Sequence, residues 1–270
     1  ATRQKQDEAA AAMGNFMDGN KRKRDRGERR LLKKQLLRMT ELLYPRKCPL
    51  CDGILGGKEP LLCRNCGKKL KFAEEPRCFR CGKPLVREEE EYCHDCRRNA
   101  HVFERCTGPF LYEGEYRQSI LRFKYRGRQE YAGFYSAAIR QRCGAQIRSW
   151  KPEVLIPVPV HRERLLKRGY NQAEVLAVKL GQEMGIPVAA GAVIRRRNTA
   201  AQKLLDNRER KKNLERAFAP GKEGGAWKSV LIVDDIYTTG STVDAVARVL
   251  KARGTARVYA VCVCIAPGET

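Results

Sequence analysis

The segment from Val230 to Thr242 joins an apolar run to two adjacent acids, and then to a loop rich in hydroxyl groups. The acids are Asp234 and Asp235, and the loop contains Thr238, Thr239, Gly240, Ser241 and Thr242. Two carboxylates can accept hydrogen bonds from two sugar hydroxyls. Hydroxyl groups, backbone N–H groups and the start of a helix can together bind a phosphate. The pattern predicts a ribose-phosphate site at the carboxyl end of a buried strand rather than a plain polar turn.

Eight cysteines define a second chemistry, because they repeat as C-x2-C-x11-C-x2-C with the second copy thirty residues after the first. They are Cys48, Cys51, Cys63 and Cys66, followed by Cys78, Cys81, Cys93 and Cys96. Two such knuckles complete a tetrahedral zinc shell, so the repeat predicts two structural zinc ions rather than a single redox motif. Sequential pairing of the knuckles is favoured, and interleaved pairing stays open. Metal is expected to supply the folding energy, so chelation should unfold this module alone.

The composition limits the class of protein. The chain has 270 residues and 42% hydrophobic residues, which suffices for a core, and its net charge is +24. We find no apolar run of the length that a membrane span needs and no secretory pattern, so a cytoplasmic protein is expected. The basic surplus favours a polyanionic partner, namely nucleic acid, a phosphorylated small molecule or both, over solubility alone.

Strand-like and helical patterns alternate after residue 100 and predict an α/β domain with a mostly parallel sheet flanked by helices. The strands are expected at 110–114, 154–160, 229–235 and 257–266, and the helices near 115–124, 130–142, 171–185 and 241–253. The sequence is predicted to divide into four segments, which are residues 1–20, 21–45, 46–100 and 101–270. The first range is a disordered leader or sequence added before a start at Met13 or Met17. The second is a basic amphipathic helix for docking or for phosphate contact, the third a double zinc ribbon, and the fourth the α/β domain.

Together these features resemble the ComF family. The stretch 230–242 looks like the phosphoribosyl-pyrophosphate (PRPP) motif of type I phosphoribosyltransferases, and 121–127, 157–172, 197–204 and 208–218 are similar to further ComF segments. The resemblance implies a double zinc ribbon before a type I phosphoribosyltransferase-like domain. It also implies a role in DNA uptake during natural competence, with competence-machinery proteins as possible partners.

The resemblance assigns roles within the PRPP motif. Asp234 and Asp235 would bind the ribose hydroxyls, and the loop Thr238–Thr242 would bind the 5′-phosphate of PRPP or ribose 5-phosphate. His161, Arg162 and Arg168 would lie on the side of the pyrophosphate and its magnesium ion, where fixed cations suit phosphate oxygens. The sequence identifies no catalytic residue.

Two functions remain open at this point. The first is a ComF-like protein that binds PRPP with magnesium and contacts single-stranded DNA. The candidate contacts for nucleic acid are Lys124, Arg126, Arg196, Arg197, Lys211 and Lys212. Basic side chains near an aromatic residue such as Tyr125 are typical of such surfaces. The alternative is an active phosphoribosyltransferase that acts on a nucleobase or another amine.

Overall fold

The computed structural model describes residues 45–56, 61–196 and 216–268. The predicted leader, the predicted basic helix up to Tyr44, and the candidates Arg197, Lys211 and Lys212 lie outside these ranges. From Cys48 onward, the described residues form one compact unit. No helix in the described part of the chain is long and apolar enough to cross a membrane.

The described residues contain seven strands and seven helices. The strands are β1 (Arg105–Thr107), β2 (Phe110–Leu111), β3 (Val154–Pro157), β4 (Val193–Arg195), β5 (Phe218–Pro220), β6 (Ser229–Tyr237) and β7 (Arg257–Ile265). The helices are α1 (Arg64–Lys68), α2 (His94–Arg98), α3 (Gly114–Tyr125), α4 (Tyr131–Trp150), α5 (Arg162–Arg168), α6 (Gln172–Met184) and α7 (Ser241–Ala252).

The main sheet is parallel throughout. Strand β7 pairs with β6 on one side and with both β1 and β2 on the other, and β3 pairs with β6. Strands β4 and β5 form a separate antiparallel pair. The predicted fold class, a parallel sheet with flanking helices, is therefore confirmed. Two strand boundaries differ from the prediction: β3 ends at Pro157, shortly before Pro159, which has no N–H to donate, and β6 continues to Tyr237 because it pairs with β7 as far as Ile265.

Both faces of the sheet are covered, which explains why its strands are almost continuously apolar. Leu231 and Val233 of β6 lie in one cluster with residues of α3, α4 and α6. Val230 and Ile232 lie in a second cluster with residues of α7. The alternation follows the two-residue period of a strand, so β6 is fixed from both sides.

The zinc ribbons share these two clusters. Leu50 and Leu55 of the first ribbon lie in the cluster that contains Phe134. The second ribbon places Cys81 in the cluster that contains Tyr237. The described ribbon residues therefore pack into the clusters of the sheet domain, and this packing favours a loss of stability in both parts on chelation over unfolding of the module alone.

Candidate functional site

The cysteines form two groups of four. The sulfur atoms of Cys48, Cys51, Cys63 and Cys66 all lie within 4.8 Å of one another, and so do those of Cys78, Cys81, Cys93 and Cys96. The Sγ atoms of Cys51 and Cys63 are 3.8 Å apart, and those of Cys81 and Cys93 are 3.6 Å apart. Four thiolates around one zinc ion at about 2.3 Å stand about 3.8 Å from each other, so both groups fit structural zinc. Sequential pairing of the knuckles is confirmed.

A cleft of about 390 Å³ opens at the carboxyl ends of β3 and β6. Its acidic and hydroxyl lining comes from Asp234, Asp235, Thr238 and Thr242, and its basic lining from Lys124, Arg164, Arg168 and Arg195. Parallel α/β sheets bind ligands at this edge, because several strands and their loops meet there. The fold thus brings both predicted acids together with part of the predicted loop and with four cations.

The acids are linked to each other and to a lysine. Lys124, near the end of α3, places Nζ 2.9 Å from Oδ1 of Asp235. The backbone N–H of Asp235 donates to Oδ1 of Asp234 over 2.8 Å. Burial, together with the charge of Asp235, raises the pKa of Asp234 to about 7, although Lys124 opposes the shift. Burial disfavours the charge on Lys124, but attraction to Asp235 outweighs it and raises the lysine pKa. The cleft therefore holds a pair of adjacent acids, of which Asp235 forms an ion pair with Lys124.

The hydroxyl loop turns from β6 into α7 at Gly240, whose φ is 79°. A Cβ at this position would lie 2.5 Å from the hydroxyl oxygen of Tyr237 and 2.9 Å from Cε1 of His101. Only glycine combines this backbone angle with so close an approach. Thr239 and Ser241 bring their hydroxyl oxygens within 2.8 Å of each other. Of the five loop residues, Thr238 and Thr242 line the cleft.

The predicted pyrophosphate residues divide into two groups. Arg168 lines the cleft, donates from Nη1 to Oε1 of Gln172 over 2.9 Å, and lies over the ring of Tyr125 at 4.8 Å. His161 is the N-cap residue just before α5, and its Nδ1 accepts the N–H of Glu163 over 3.4 Å. His161 and the exposed Arg162 are not among the residues that line the cleft. Their assignment stays a prediction.

Two further arginines line the cleft. Arg164 projects from the middle of α5, and Arg195 ends β4 and lies over the ring of Phe218 at 5.2 Å. Burial lowers the pKa of Arg195, and repulsion from Arg164 adds to the shift. An anion in the cleft would relieve this repulsion, so the pair favours a negatively charged ligand.

The candidate nucleic-acid contacts also separate. Lys124 lies in the cleft against Asp235, whereas Arg126 and Arg196 are exposed. Lys124 follows the buried Phe123 directly and lies inside the segment that resembles ComF. This position was the one indication in the sequence that Lys124 belongs to the cleft. Sequence reasoning missed Arg195 in this role because it follows no phosphate-binding pattern.

Two domain families match this chain. The double zinc ribbon domain matches residues 39–97, and the phosphoribosyl transferase domain matches residues 165–270. The two matches stand in the order expected from the sequence, with the zinc ribbon match before the phosphoribosyl transferase match. Its relatives are named as competence proteins and DNA utilization proteins, and the ComF resemblance seen in the sequence is confirmed.

Three relatives illustrate the match. Competence protein F of Haemophilus influenzae is 38% identical over 38% of this chain and 46% of its own. DNA utilization protein YhgH of Escherichia coli is 34% identical over 54% of this chain and 65% of its own. Competence protein ComFC of Bacillus subtilis is 27% identical over 59% of this chain and 63% of its own. The chain thus matches between about half and two thirds of the length of these relatives.

Proposed function

We propose that the cleft binds PRPP or ribose 5-phosphate together with magnesium. The observation that carries this proposal is the meeting of Asp234, Asp235, Thr238 and several arginines in one cleft of about 390 Å³. Carboxylates accept hydrogen bonds from vicinal hydroxyls, and arginines present a fork that matches phosphate oxygens. One sugar phosphate satisfies both kinds of group.

The ligand is oriented by the two sides of the cleft. Asp234 and Asp235 hold the ribose hydroxyls, and Thr238 and Thr242 bind the 5′-phosphate beside the positive end of α7. Arg164 and Arg168 face the pyrophosphate, with His161 and Arg162 as further candidates at the start of α5. Magnesium prefers phosphate oxygens with few protein ligands, so it would enter with the pyrophosphate.

The proposal also includes a role in DNA uptake, in which the protein contacts single-stranded DNA. Support comes from the names of its relatives, which are competence and DNA utilization proteins. A net charge of +24 suits a polyanion, and the exposed Arg126 follows Tyr125 at the rim of the cleft. Other proteins of the competence machinery are the expected partners.

Calorimetry tests the ligand. Wild-type protein is titrated with PRPP and with ribose 5-phosphate, each with and without magnesium, and with glucose 6-phosphate as a phosphate-bearing control. Asp235→Asn should weaken pentose-phosphate binding by about 1.5–3 kcal/mol, the range of a hydrogen bond to a charged group. Glu104→Gln is the matched control, because it neutralises a carboxylate that does not line the cleft. Absence of heat with every pentose phosphate, or equal binding of glucose 6-phosphate, would overturn the proposal.

A second candidate function is transfer of the phosphoribosyl group to an amine acceptor. One observation favours it: the pKa of Asp234 is raised to about 7, which is the range that suits a general base at neutral pH. Release of pyrophosphate from PRPP, measured across a panel of nucleobases and amines, tests it. Turnover that Asp234→Asn abolishes would support transfer. Binding of PRPP without any turnover would contradict transfer and leave ligand binding as the function of the cleft.

A further inference from the structure

A buried histidine and aspartate lie directly behind the phosphate loop. Nδ1 of His101 is 2.8 Å from Oδ2 of Asp244, and the N–H of Val102 donates to Oδ1 of the same carboxylate over 2.7 Å. The side chains of His101 and Asp244 are only 4% and 9% exposed. Both oxygens of Asp244 are therefore engaged from the segment that enters β1, and neither residue lines the cleft.

The pair is in contact with the loop. Asp244 lies in the first turn of α7, and its N–H donates to the carbonyl oxygen of Gly240 over 2.8 Å. Cε1 of His101 comes within 2.9 Å of the place where a Gly240 side chain would begin. The imidazole thus packs against the residue that turns the loop, while its partner holds the first hydrogen bond of the helix.

Because Asp244 is an acid close to the proposed phosphate site, its contact with His101 matters for the binding of an anion there. A carboxylate in the first turn of a helix stabilises the helix, but it weakens the attraction of that helix end for a phosphate. His101 and the N–H of Val102 hold the carboxylate on the side away from the cleft. The Nε2 atom of His101 finds no hydrogen-bond partner among the described residues, so the Nδ1 bond to Asp244 is what orients the ring.

The segment that carries His101 is joined to the second zinc ribbon. Arg80, between two zinc-binding cysteines, donates from Nη1 to the carbonyl oxygens of His101 and Phe103 over 3.5 and 3.3 Å. The N–H of Cys106 donates to the carbonyl oxygen of Arg80 over 2.7 Å. A continuous set of contacts therefore runs from the zinc knuckle through His101 to Gly240.

We propose that His101 is a positioning residue for the phosphate loop: bonded to Asp244, it holds Gly240 and the first turn of α7 in place and thereby connects the second zinc ribbon to the cleft. The role in binding rests on the proposed ribose-phosphate function. The role in ordering the loop does not, because it follows from contacts within the protein.

Two substitutions separate hydrogen bonding from packing. His101→Phe keeps a ring against Gly240 but removes the bond to Asp244, whereas His101→Asn offers an amide N–H near the position of Nδ1. Glu104→Gln is the matched control, because Glu104 belongs to the same segment and its ion pair with Lys251, at 3.0 Å, reaches the other end of α7. All variants are made in the full chain with zinc bound.

Hydrogen exchange and calorimetry give the readouts. In His101→Phe, the amides of residues 239–243 should exchange at least about tenfold faster, and ribose 5-phosphate should bind about tenfold more weakly. His101→Asn should retain most of the exchange protection and of the affinity for ribose 5-phosphate, and Glu104→Gln should change neither. Unchanged exchange in His101→Phe, or a loss that Glu104→Gln reproduces, would overturn the proposal. If the wild type binds no pentose phosphate, the proposed function fails, and the exchange data still decide the role of His101.

Discussion

Lys124 and Asp235 form an ion pair inside the cleft, with 2.9 Å between Nζ and Oδ1 and with side chains only 18% and 11% exposed. The pair connects the end of α3 to the carboxyl half of β6. In the proposed binding mode, a ribose hydroxyl would bind the carboxylate whose Oδ1 atom Lys124 now contacts. Binding of a sugar phosphate therefore either shares Asp235 with the lysine or releases Lys124 toward an incoming phosphate.

Removing both partners of this pair should cost less stability than the two single removals added together. Lys124→Met leaves two adjacent carboxylates without their close cation, and Asp235→Asn leaves a largely buried ammonium unpaired. Each should lower the free energy of unfolding by about 1–3 kcal/mol, and the double variant should lose less than the sum. Urea unfolding measures all four proteins. Lys251→Met is the control, because its exposed pair with Glu104 should contribute at most about 1 kcal/mol. Strict additivity would contradict the coupling.

The raised pKa of Asp234 predicts a pH dependence of stability. Its pKa moves from 3.8 to about 7 on folding, so the folded protein binds the proton more tightly than the unfolded chain does. Stability from this group is present below about pH 4 and is lost as the pH rises to about 7. Asp234→Asn should therefore gain stability relative to wild type between pH 5 and pH 8, by an amount of order 1–3 kcal/mol. Urea midpoints at both pH values test the sign, and a constant difference between the proteins would contradict it.

A methyl group at Gly240 should disturb the phosphate loop. Gly240→Ala adds strain at a φ of 79° and brings Cβ to 2.5 Å from the Tyr237 hydroxyl. We expect a loss of about 1–3 kcal/mol in the free energy of unfolding and weaker binding of ribose 5-phosphate. Tyr237→Phe removes the oxygen that clashes, so the double variant should recover part of the loss but not the backbone strain. Thermal unfolding and calorimetry measure both. Failure of Tyr237→Phe to recover anything would show that the clash is not the cause.

The features that a single sequence makes visible are those that depend on the spacing of neighbouring residues. The eight cysteines and the pair Asp234–Asp235 are recognisable because their chemistry requires neighbours a few residues apart. His101 and Asp244 are 143 residues apart, and no local pattern connects them. The ion pair of Lys124 with Asp235 was likewise hidden, because it depends on how α3 lies against β6. Contacts between distant elements are set by packing, which a single sequence does not display residue by residue.

Removal of zinc should weaken the sheet as well as the ribbons. Leu50 and Leu55 of the first ribbon cover the cluster around Phe134, and Cys81 of the second contributes to the cluster around Tyr237. Without metal the ribbons lose most of their folding energy. The ribbon residues then no longer pack fully against the two clusters, and the apolar contacts that stabilise the sheet are reduced. A chelator should therefore lower the thermal midpoint of the sheet and speed exchange of amides in β6 and β7, and added zinc should reverse both changes.

Single cysteine variants distinguish the two metal groups. Cys81 is fully buried beside the cluster of Tyr237, whereas Cys51 is exposed. Cys81→Ser should therefore lower the thermal midpoint more than Cys51→Ser does, although each removes one of four sulfur ligands. Zinc content, measured on both purified proteins, confirms that one ion is lost in each case. If the sheet keeps its thermal midpoint and its exchange protection in the chelated protein, the ribbons fold independently, and the shared clusters contribute little to stability.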